Sequence, residues 1–190
     1  PITMDPSARA LHYGQACFEG MKAFKDNNNC TWLFRPIENY KRLVSSSKRL
    51  AMPILPKEIF MDGLMKLIEL EKNWIKTGLG NSLYIRPFIF ADQPSINANE
   101  ADQYKFMIIC APAKSYYNGE IKVKIENSYS RAAKGGVGYA KAAGNYAAQF
   151  YPTILAKEEG YQQIITSRTT SNSQVPQNLK ISVCPLYLSR

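Results

Sequence analysis

The sequence predicts an α+β protein with one domain of mixed helices and strands and the beginning of a second domain. Residues 36–51 and 56–76 carry apolar side chains at the spacing of an amphipathic helix. Residues 83–91 are an apolar run typical of a strand, and residues 121–127 alternate apolar and polar side chains as a strand does. Residues 112–119 have the Pro, Ser and Gly content of a linker, so the domain boundary is predicted there.

Composition favours a packed globular protein. The 190 residues are 45% hydrophobic, and the net charge is +9. The basic residues are dispersed and form no RNP-like, zinc-finger or KH pattern, so no nucleic-acid partner is predicted. No apolar run is long enough to span a membrane, and the start resembles neither a signal peptide nor a transit peptide, which predicts a cytoplasmic protein without a membrane partner.

Cysteine and histidine usage excludes several kinds of site. Cys17, Cys30, Cys110 and Cys184 form no CxxC pair and no metal-ligand spacing, which favours buried reduced thiols. His12 is the only histidine, so a zinc site built on several histidines and a triad that needs a second histidine are excluded. No metal site is predicted.

The first part of the chain is predicted to form a hairpin followed by two helices. Residues 26–29 are typical of a turn, and residues 31–35 of the strand that follows it. Pro36 stands at the first position of a helix, where proline is tolerated. The second helix covers residues 56–76, and its predicted inner face consists of six apolar residues: Ile59, Phe60, Leu64, Leu67, Ile68 and Trp74.

Four strands are predicted after these helices. Pro87 lies inside the strand at 83–91 and predicts an edge or a bulge there, because proline cannot donate to a ladder. Residues 104–111 are predicted to be a buried strand, residues 121–127 an alternating strand, and residues 161–165 the start of the next.

A third helix is predicted before the last strand. Asn145 is a candidate cap for it, and Gly160 is predicted to stop it after Glu159. Pro152 lies inside this helix and is expected to kink or break it.

One lysine has unusual neighbours. Lys141 lies within residues 130–148, between small residues and after three glycines that allow tight turns and close approach of a ligand. Held in a partly dry pocket, its amine would have a lowered pKa and could attack an aldehyde to form a Schiff base. The alternative is an ordinary solvated surface lysine.

The amino-acid sequences of four segments resemble those of branched-chain aminotransferases. These segments are GYAKAAGNYAAQFYPTILAKEEGYQQII around Lys141, LHYGQACFEGMKAF at 11–24, LFRPIENYKRLVSSSKRLAMP at 33–53 and LYIRPFIFA at 83–91. The family belongs to the fold-type IV enzymes that use pyridoxal 5'-phosphate (PLP). The resemblance therefore implies a small α/β domain and a larger barrel-like α/β domain.

The resemblance covers only part of the sequence. It runs in family order over residues 1–165 and implies a small domain at 1–119 with its start missing, the opening of the PLP-binding domain at 120–165, and an atypical tail at 166–190. The sequence begins without Met in what resembles mid-domain sequence, so a truncated chain is predicted.

The resemblance implies three cofactor-binding residues. Lys141 would hold PLP as the catalytic lysine. Tyr146 would bind the phenolic oxygen of the cofactor, and Arg42 its phosphate, for which a bidentate guanidinium is well suited. The alternative for Arg42 is a solvated helix arginine.

The resemblance also implies substrate-binding residues. Tyr84 and Arg86 are two apart in a strand and share a face, where they would receive the distal carboxylate of glutamate beside an apolar wall for leucine, isoleucine or valine. Tyr13 is implied to reach a neighbouring subunit's site in a homodimer, and Tyr116 to lie at the pocket mouth. The full implied set is Tyr13, Phe18, Gly20, Tyr84, Arg86 and Tyr116. Without the resemblance, Tyr13 and Phe18 would be read as core aromatics, and Arg86 as the partner of a surface acid.

The sequence departs from the family pattern after Ile165. The family carries a glutamate there that pairs with the pyridine nitrogen of PLP. Residues 172–177, where it would fall, contain no Asp or Glu. The predicted activity is transfer of the amino group of leucine, isoleucine or valine to 2-oxoglutarate, impaired in this chain. The alternatives are an inactive remnant that folds or dimerises, a D-amino-acid aminotransferase and an aminodeoxychorismate lyase.

Overall fold

A computed structural model describes residues 1–114 and 120–166 and confirms the predicted α+β class. The helices and strands alternate irregularly along the chain, and a short 3₁₀ helix at Lys72–Trp74 follows the third helix. The elements are α1 (Arg9–Tyr13), β1 (Ala16–Phe18), β2 (Met21–Lys25), β3 (Thr31–Leu33), α2 (Pro36–Arg49), α3 (Lys57–Glu71), β4 (Ser82–Ala91), β5 (Tyr104–Ala113), β6 (Val123–Glu126), α4 (Gly144–Glu158) and β7 (Gln163–Thr166).

A five-stranded antiparallel sheet forms most of the first domain. β4 is its central strand: β5 pairs along its whole length on one side, and β1 and β2 pair with it on the other. Ala16 faces Phe90 and Met21 faces Ile85, so β1 and β2 keep one register against β4. They behave as a single strand interrupted between Phe18 and Met21.

The prediction that Pro87 marks an edge or a bulge is wrong. β4 has partners on both sides, and Pro87 lies opposite the interruption between β1 and β2. There the Glu19 N–H donates to the Pro87 carbonyl at 2.7 Å. Proline cannot return that hydrogen bond. The central strand therefore tolerates proline because its neighbour is broken at the same place.

The hydrophobic core lies between the sheet and the helices α2 and α3. It contains Leu43 of α2, Phe60 and Leu64 of α3, and Leu83 and Ile85 of β4, all nearly inaccessible to water. Helix α2 begins at Pro36 as predicted. The hairpin of β2 and β3 is also as predicted.

Three predictions of burial in this domain are wrong. Ile59 and Trp74 are 54% and 58% exposed. Ile59 lies one residue off the Phe60–Leu64–Ile68 stripe of α3, and Trp74 falls in the 3₁₀ turn, where helical spacing changes. β5 pairs only with β4 within the described part of the chain, and Ile109 on its outer face is more than half exposed.

The second unit is a parallel pair of strands joined by a helix. β6 and β7 pair in parallel, and α4 is the crossover between them. Asn145 does not cap α4: the helix begins at Gly144, and Asn145 is buried in its first turn, where it donates to carbonyls of the preceding loop. α4 continues through Pro152 without the predicted break. The predicted boundary at residue 119 lies outside the described residues.

Candidate active site

The backbone of Lys141 extends the edge of the five-stranded sheet. Phe18 N–H donates to the Lys141 carbonyl at 3.2 Å, Ala143 N–H donates to the Ala16 carbonyl at 3.0 Å, and Cys17 faces Ala142 in an antiparallel bridge. Side chains alternate along such a ladder, so Lys141 points to the face that carries Phe18. Cys17 and Ala142 point to the opposite face and are buried.

The loop before Lys141 needs its small residues. A Cβ on Gly138 would lie 2.6 Å from the Cβ of Ala132, closer than two carbon atoms can approach. The buried amide of Asn145 donates to the carbonyls of Val137 at 3.0 Å and Ala140 at 2.9 Å, which fixes the end of this loop. The tight turns predicted from the glycines are therefore present next to Lys141.

The amine of Lys141 lies against two aromatic rings. Its Nζ donates to the Tyr146 hydroxyl at 2.6 Å and lies 4.5 Å from the centre of the Phe18 ring. The rings of Phe18 and Tyr146 are themselves 4.9 Å apart. An ammonium above an aromatic face is attracted by the ring quadrupole. The amine thus has one polar partner and one apolar wall, and its side chain is only half-buried.

A second cation contacts the same Phe18 ring. The guanidinium of Arg86 lies 4.3 Å from the ring centre, and its Nη2 donates to the Tyr84 hydroxyl at 2.7 Å. The recorded partners of Arg86 are therefore Tyr84 and Phe18 rather than a surface acid. Gly20 leaves room for this pair, since a Cβ there would lie 2.4 Å from the Tyr84 hydroxyl oxygen.

Arg42 is held by a buried carboxylate. Its Nε and Nη2 each donate to Glu19 at 2.7 Å in a bidentate pair, and the Asn39 amide donates to the same carboxylate at 2.8 Å. The Glu19 side chain is fully buried, whereas that of Arg42 is half exposed. A guanidinium has five N–H groups, so three remain for another acceptor.

The charge around these residues is mostly positive. Hydrogen bonds to Glu19 raise the pKa of Arg42 above its ordinary value, and the phenol of Tyr146 contributes in the same direction. Arg42, Arg86 and Lys141 are three cations, and Glu19 is already paired with one of them. Such an arrangement favours an anionic ligand.

One of the predicted residues, Tyr13, is not part of this group. The Tyr13 hydroxyl donates to the Ile96 carbonyl instead of joining the hydrogen bonds around Lys141. Tyr116 lies outside the described residues. Tyr146, Lys141, Phe18, Arg86 and Tyr84 form a continuous series of contacts, and Gly20 lies against Tyr84. Arg42 joins the group through Glu19, the neighbour of Gly20, and has no recorded contact with Lys141.

Glu19 and Ser46 belong to the site but were not predicted from the sequence. The signal for Glu19 was present: alternation in β1 and β2 places it on the buried face with Cys17 and Met21, where a carboxylate requires a partner. Ser46 is fully buried in α2, and its Oγ accepts a hydrogen bond from the backbone N–H of Lys141 at 2.8 Å. The sequence carries no signal for that contact, because 95 residues separate the two.

Sequence comparison identifies relatives of the chain. No protein-family model matches it. Branched-chain-amino-acid transaminase 1 of Bacillus subtilis (strain 168) is 45% identical to it over 169 residues, which are 87% of this chain and 48% of that protein. The chain is homologous to the branched-chain aminotransferases. It spans about half the length of the curated relatives it matches.

Solved structures of branched-chain aminotransferases have the same fold. The enzyme of Thermoproteus uzoniensis with norvaline superimposes with a TM-score of 0.72 at 23% identity, over 88% of this chain and 55% of its own. The Escherichia coli enzyme gives a TM-score of 0.70 at 26% identity, with 88% and 54% covered. The fold-type IV resemblance is thereby confirmed at the level of the fold.

None of the helices in residues 1–114 and 120–166 has both the length and the apolar character to cross a bilayer.

Proposed function

We propose that this chain takes part in PLP-dependent transamination of branched-chain amino acids, with Lys141 as the amine that binds the cofactor. The observation that supports this most is the 2.6 Å hydrogen bond from Lys141 Nζ to Tyr146, within a group of three cations and beside an aromatic wall. The relatives are named branched-chain aminotransferases. The chain matches about half the length of these relatives, so we propose their activity for it rather than infer it from the match alone.

The donor set fits PLP. Lys141 offers a primary amine for an aldehyde, Tyr146 a hydroxyl for the adjacent phenolic oxygen, and Arg42 a guanidinium with N–H groups to spare for a phosphate. A related branched-chain aminotransferase structure is complexed with N-(5'-phosphopyridoxyl)-L-glutamate, in agreement with this assignment. When bound, PLP supplies a carbonyl that condenses with amines and a ring that accepts electrons from the substrate's α-carbon.

The protein residues hold and move protons around this chemistry. Tyr146 keeps Lys141 Nζ oriented, and Phe18 excludes water from one side of it. Lys141 Nζ, when it is not bonded to the cofactor, would be placed to act as a general base for the α-proton of the substrate. These roles need the amine and the phenol to stay within hydrogen-bond distance.

The Tyr84–Arg86 pair suits two kinds of substrate. Arg86 can pair with the distal carboxylate of glutamate or 2-oxoglutarate, since its recorded partners are a hydroxyl and a ring rather than an acid. In the observed arrangement the guanidinium of Arg86 bonds to Tyr84 and also lies over the Phe18 ring, so Arg86 has to move off this ring before leucine, isoleucine or valine can use it as an apolar wall. Gly20 provides the space in which Tyr84 sits.

Tyr13 and Tyr116 complete the substrate site in this proposal. Tyr13 is half exposed near the start of the chain, which is compatible with reaching the site of a second subunit in a homodimer. Tyr116 is assigned from the sequence alone.

A non-catalytic protein is the second candidate. Residues 172–177, where the resemblance places the glutamate that pairs with the pyridine nitrogen of PLP, contain no Asp or Glu. A ring without that partner is a weaker electron sink. We therefore propose that the chain binds PLP but catalyses transamination slowly.

An absorbance titration with PLP tests the proposal. The wild-type chain should give a band that is absent in Lys141→Ala and retained in Lys134→Ala, an exposed lysine of the same loop. Leucine should bleach this band faster than D-alanine does. The same band in Lys141→Ala would contradict the proposal; a lysine-dependent band that leucine never bleaches would favour the non-catalytic candidate, and faster bleaching by D-alanine a different fold-type IV enzyme.

The role of Arg42 is tested by omitting the phosphate. Arg42→Ala should weaken binding of PLP by about tenfold or more, the effect of losing a charge-assisted contact, and leave binding of pyridoxal unchanged. Arg49→Ala is the matched control, because Arg49 lies on the same helix and donates to the Gly135 carbonyl. Equal losses for PLP and pyridoxal would remove Arg42 from the phosphate site.

A further inference from the structure

Lys141 is attached to the fold through its backbone on two sides. Its carbonyl accepts from Phe18 of β1 at 3.2 Å, and its N–H donates to Ser46 of α2 at 2.8 Å. Its neighbours Ala140 and Ala142 are 3% and 4% exposed. The base of the side chain is therefore fixed, although its amine remains accessible.

Ser46 shares a face of α2 with Asn39 and Arg42. Asn39, Arg42 and Ser46 are spaced by three and four residues, so they lie on one side of the helix. Asn39 and Arg42 both contact the buried Glu19. With a rise of about 1.5 Å per residue, Ser46 lies roughly 6 Å further along the axis than Arg42.

We propose that Ser46 is a positioning residue that sets the amine of Lys141 at a fixed distance from the guanidinium of Arg42. This role rests on the proposed function, in which Lys141 and Arg42 bind opposite ends of one cofactor. A single rigid helix then carries both anchors: Arg42 directly, and Lys141 through the Ser46 hydroxyl.

The adjacent serine provides a matched control. Ser47 is as buried as Ser46, at 2% against 0% exposed. Its hydroxyl lies 3.5 Å from the thiol of Cys17 and not on the Lys141 backbone. Ala is a better helix former than Ser, so Ser46→Ala and Ser47→Ala should both retain α2. Any difference between them reports on the contact rather than on burial.

Amide hydrogen exchange of the full chain without cofactor tests the contact. In Ser46→Ala the Lys141 N–H loses its acceptor, and its exchange should accelerate by about fivefold, the effect expected for one net hydrogen bond. In Ser47→Ala the exchange of Lys141 should match the wild type. Unchanged exchange of Lys141 in Ser46→Ala would overturn the proposal.

The rate at which the lysine-dependent band develops tests the role. Ser46→Ala should slow it by about fivefold with both PLP and pyridoxal, because the amine rather than the phosphate contact is misplaced. Ser47→Ala should match the wild type. If Ser46→Ala only lowers the unfolding temperature and leaves the rate unchanged, Ser46 is merely structural and the proposal is wrong. A wild-type chain without any lysine-dependent band would overturn the proposed function itself, and the positioning role with it.

Discussion

At the scale of single residues, the surroundings of Lys141 are made of small residues and aromatic rings. Gly138 lets the preceding loop close, and Phe18 contacts both Lys141 and Arg86. Lys141 is partly buried, and its amine has the Tyr146 hydroxyl and the Phe18 ring as partners. Substitutions that displace Tyr146 or Phe18 should therefore change the reactivity of Lys141 more than substitutions that only change the polarity of nearby residues.

Gly20 is predicted to be required for the position of Tyr84. A methyl group on Gly20 would lie 2.4 Å from the Tyr84 hydroxyl oxygen, and that hydroxyl is the movable end of a side chain. Gly20→Ala should therefore lower the free energy of unfolding by about 1 kcal/mol, measured by urea denaturation. In a Tyr84→Phe background, where that oxygen is gone, the same change should cost less.

Gly144→Ala is the control for the comparison of Gly20→Ala in the wild-type and Tyr84→Phe backgrounds. No atom lies within 4 Å of the position its Cβ would take, so stability should be nearly unchanged. A cost for Gly20→Ala that is equal in both Tyr84 backgrounds would show that the methyl group meets something other than the hydroxyl.

At the scale of elements, α2 joins the sheet to the candidate site. Its Leu43 belongs to the core, its Arg42 pairs with the buried Glu19, and its Ser46 binds the Lys141 backbone. The helix is thus held by the same packing that holds β4. Stability and site geometry are coupled through this helix.

The pair between Glu19 and Arg42 should be asymmetric in its effect on stability. Glu19 is fully buried and Arg42 half exposed, so removing the arginine leaves an uncompensated buried charge. Arg42→Ala should lower the free energy of unfolding by about 3 kcal/mol. Adding Glu19→Gln should recover part of this loss, because an amide carries no charge.

Arg49→Ala again serves as the control. It should lower the free energy of unfolding by less than about 1 kcal/mol, because Arg49 is only partly buried and donates to one backbone carbonyl. Equal losses for the two arginines, measured by urea denaturation, would argue against a buried charge at Glu19.

Glu126 at the end of β6 should make stability depend on pH. Hydrogen bonds from the backbone N–H groups of Ser128, at 2.6 Å, and Tyr129 lower the pKa of this carboxyl group. A lowered pKa in the folded state stabilises the protein above the ordinary value of about 4.3, and this contribution is lost as the pH falls through the folded pKa. The stability difference between wild type and Glu126→Gln should therefore be constant near neutrality and shrink in acid; a difference that grows in acid would contradict this.

Most helices and strands were predicted from the sequence, but the segments that they pair with or pack against were not. The start of α2 at Pro36 and the hairpin followed from a proline and from turn residues, because those signals are local. The central place of β4 depends on the interruption opposite Pro87, which is a property of another segment. Asn145 failed as a cap for the same reason: its amide bonds to carbonyls of the folded loop.

The site shows the same division. The resemblance brought forward Lys141, Tyr146 and the Tyr84–Arg86 pair, and the structure places these in contact. Ser46 could not be found, because its partner is 95 residues away and its own residue type is ordinary in a helix. Contacts between distant backbone and side-chain atoms are set by the tertiary fold.

At the scale of the whole molecule, the sheet has two different faces. Helices α2 and α3 cover one face, and Phe18, Tyr84 and Arg86 lie on the other with Lys141 at its edge. On the hairpin, Phe24 and Trp32 form a cross-strand pair that is largely exposed. The chain spans about half the length of its branched-chain aminotransferase relatives and contains the lysine, the tyrosine and the arginine that the proposed function uses.

The most direct measurement is to locate the lysine that reacts with PLP. The chain would be incubated with PLP, reduced with borohydride, digested and mapped by mass spectrometry. Modification should be concentrated on Lys141, with the exposed Lys134 of the same loop as the internal comparison. Modification spread evenly over both lysines would show that Lys141 is an ordinary surface lysine and would contradict the proposed site.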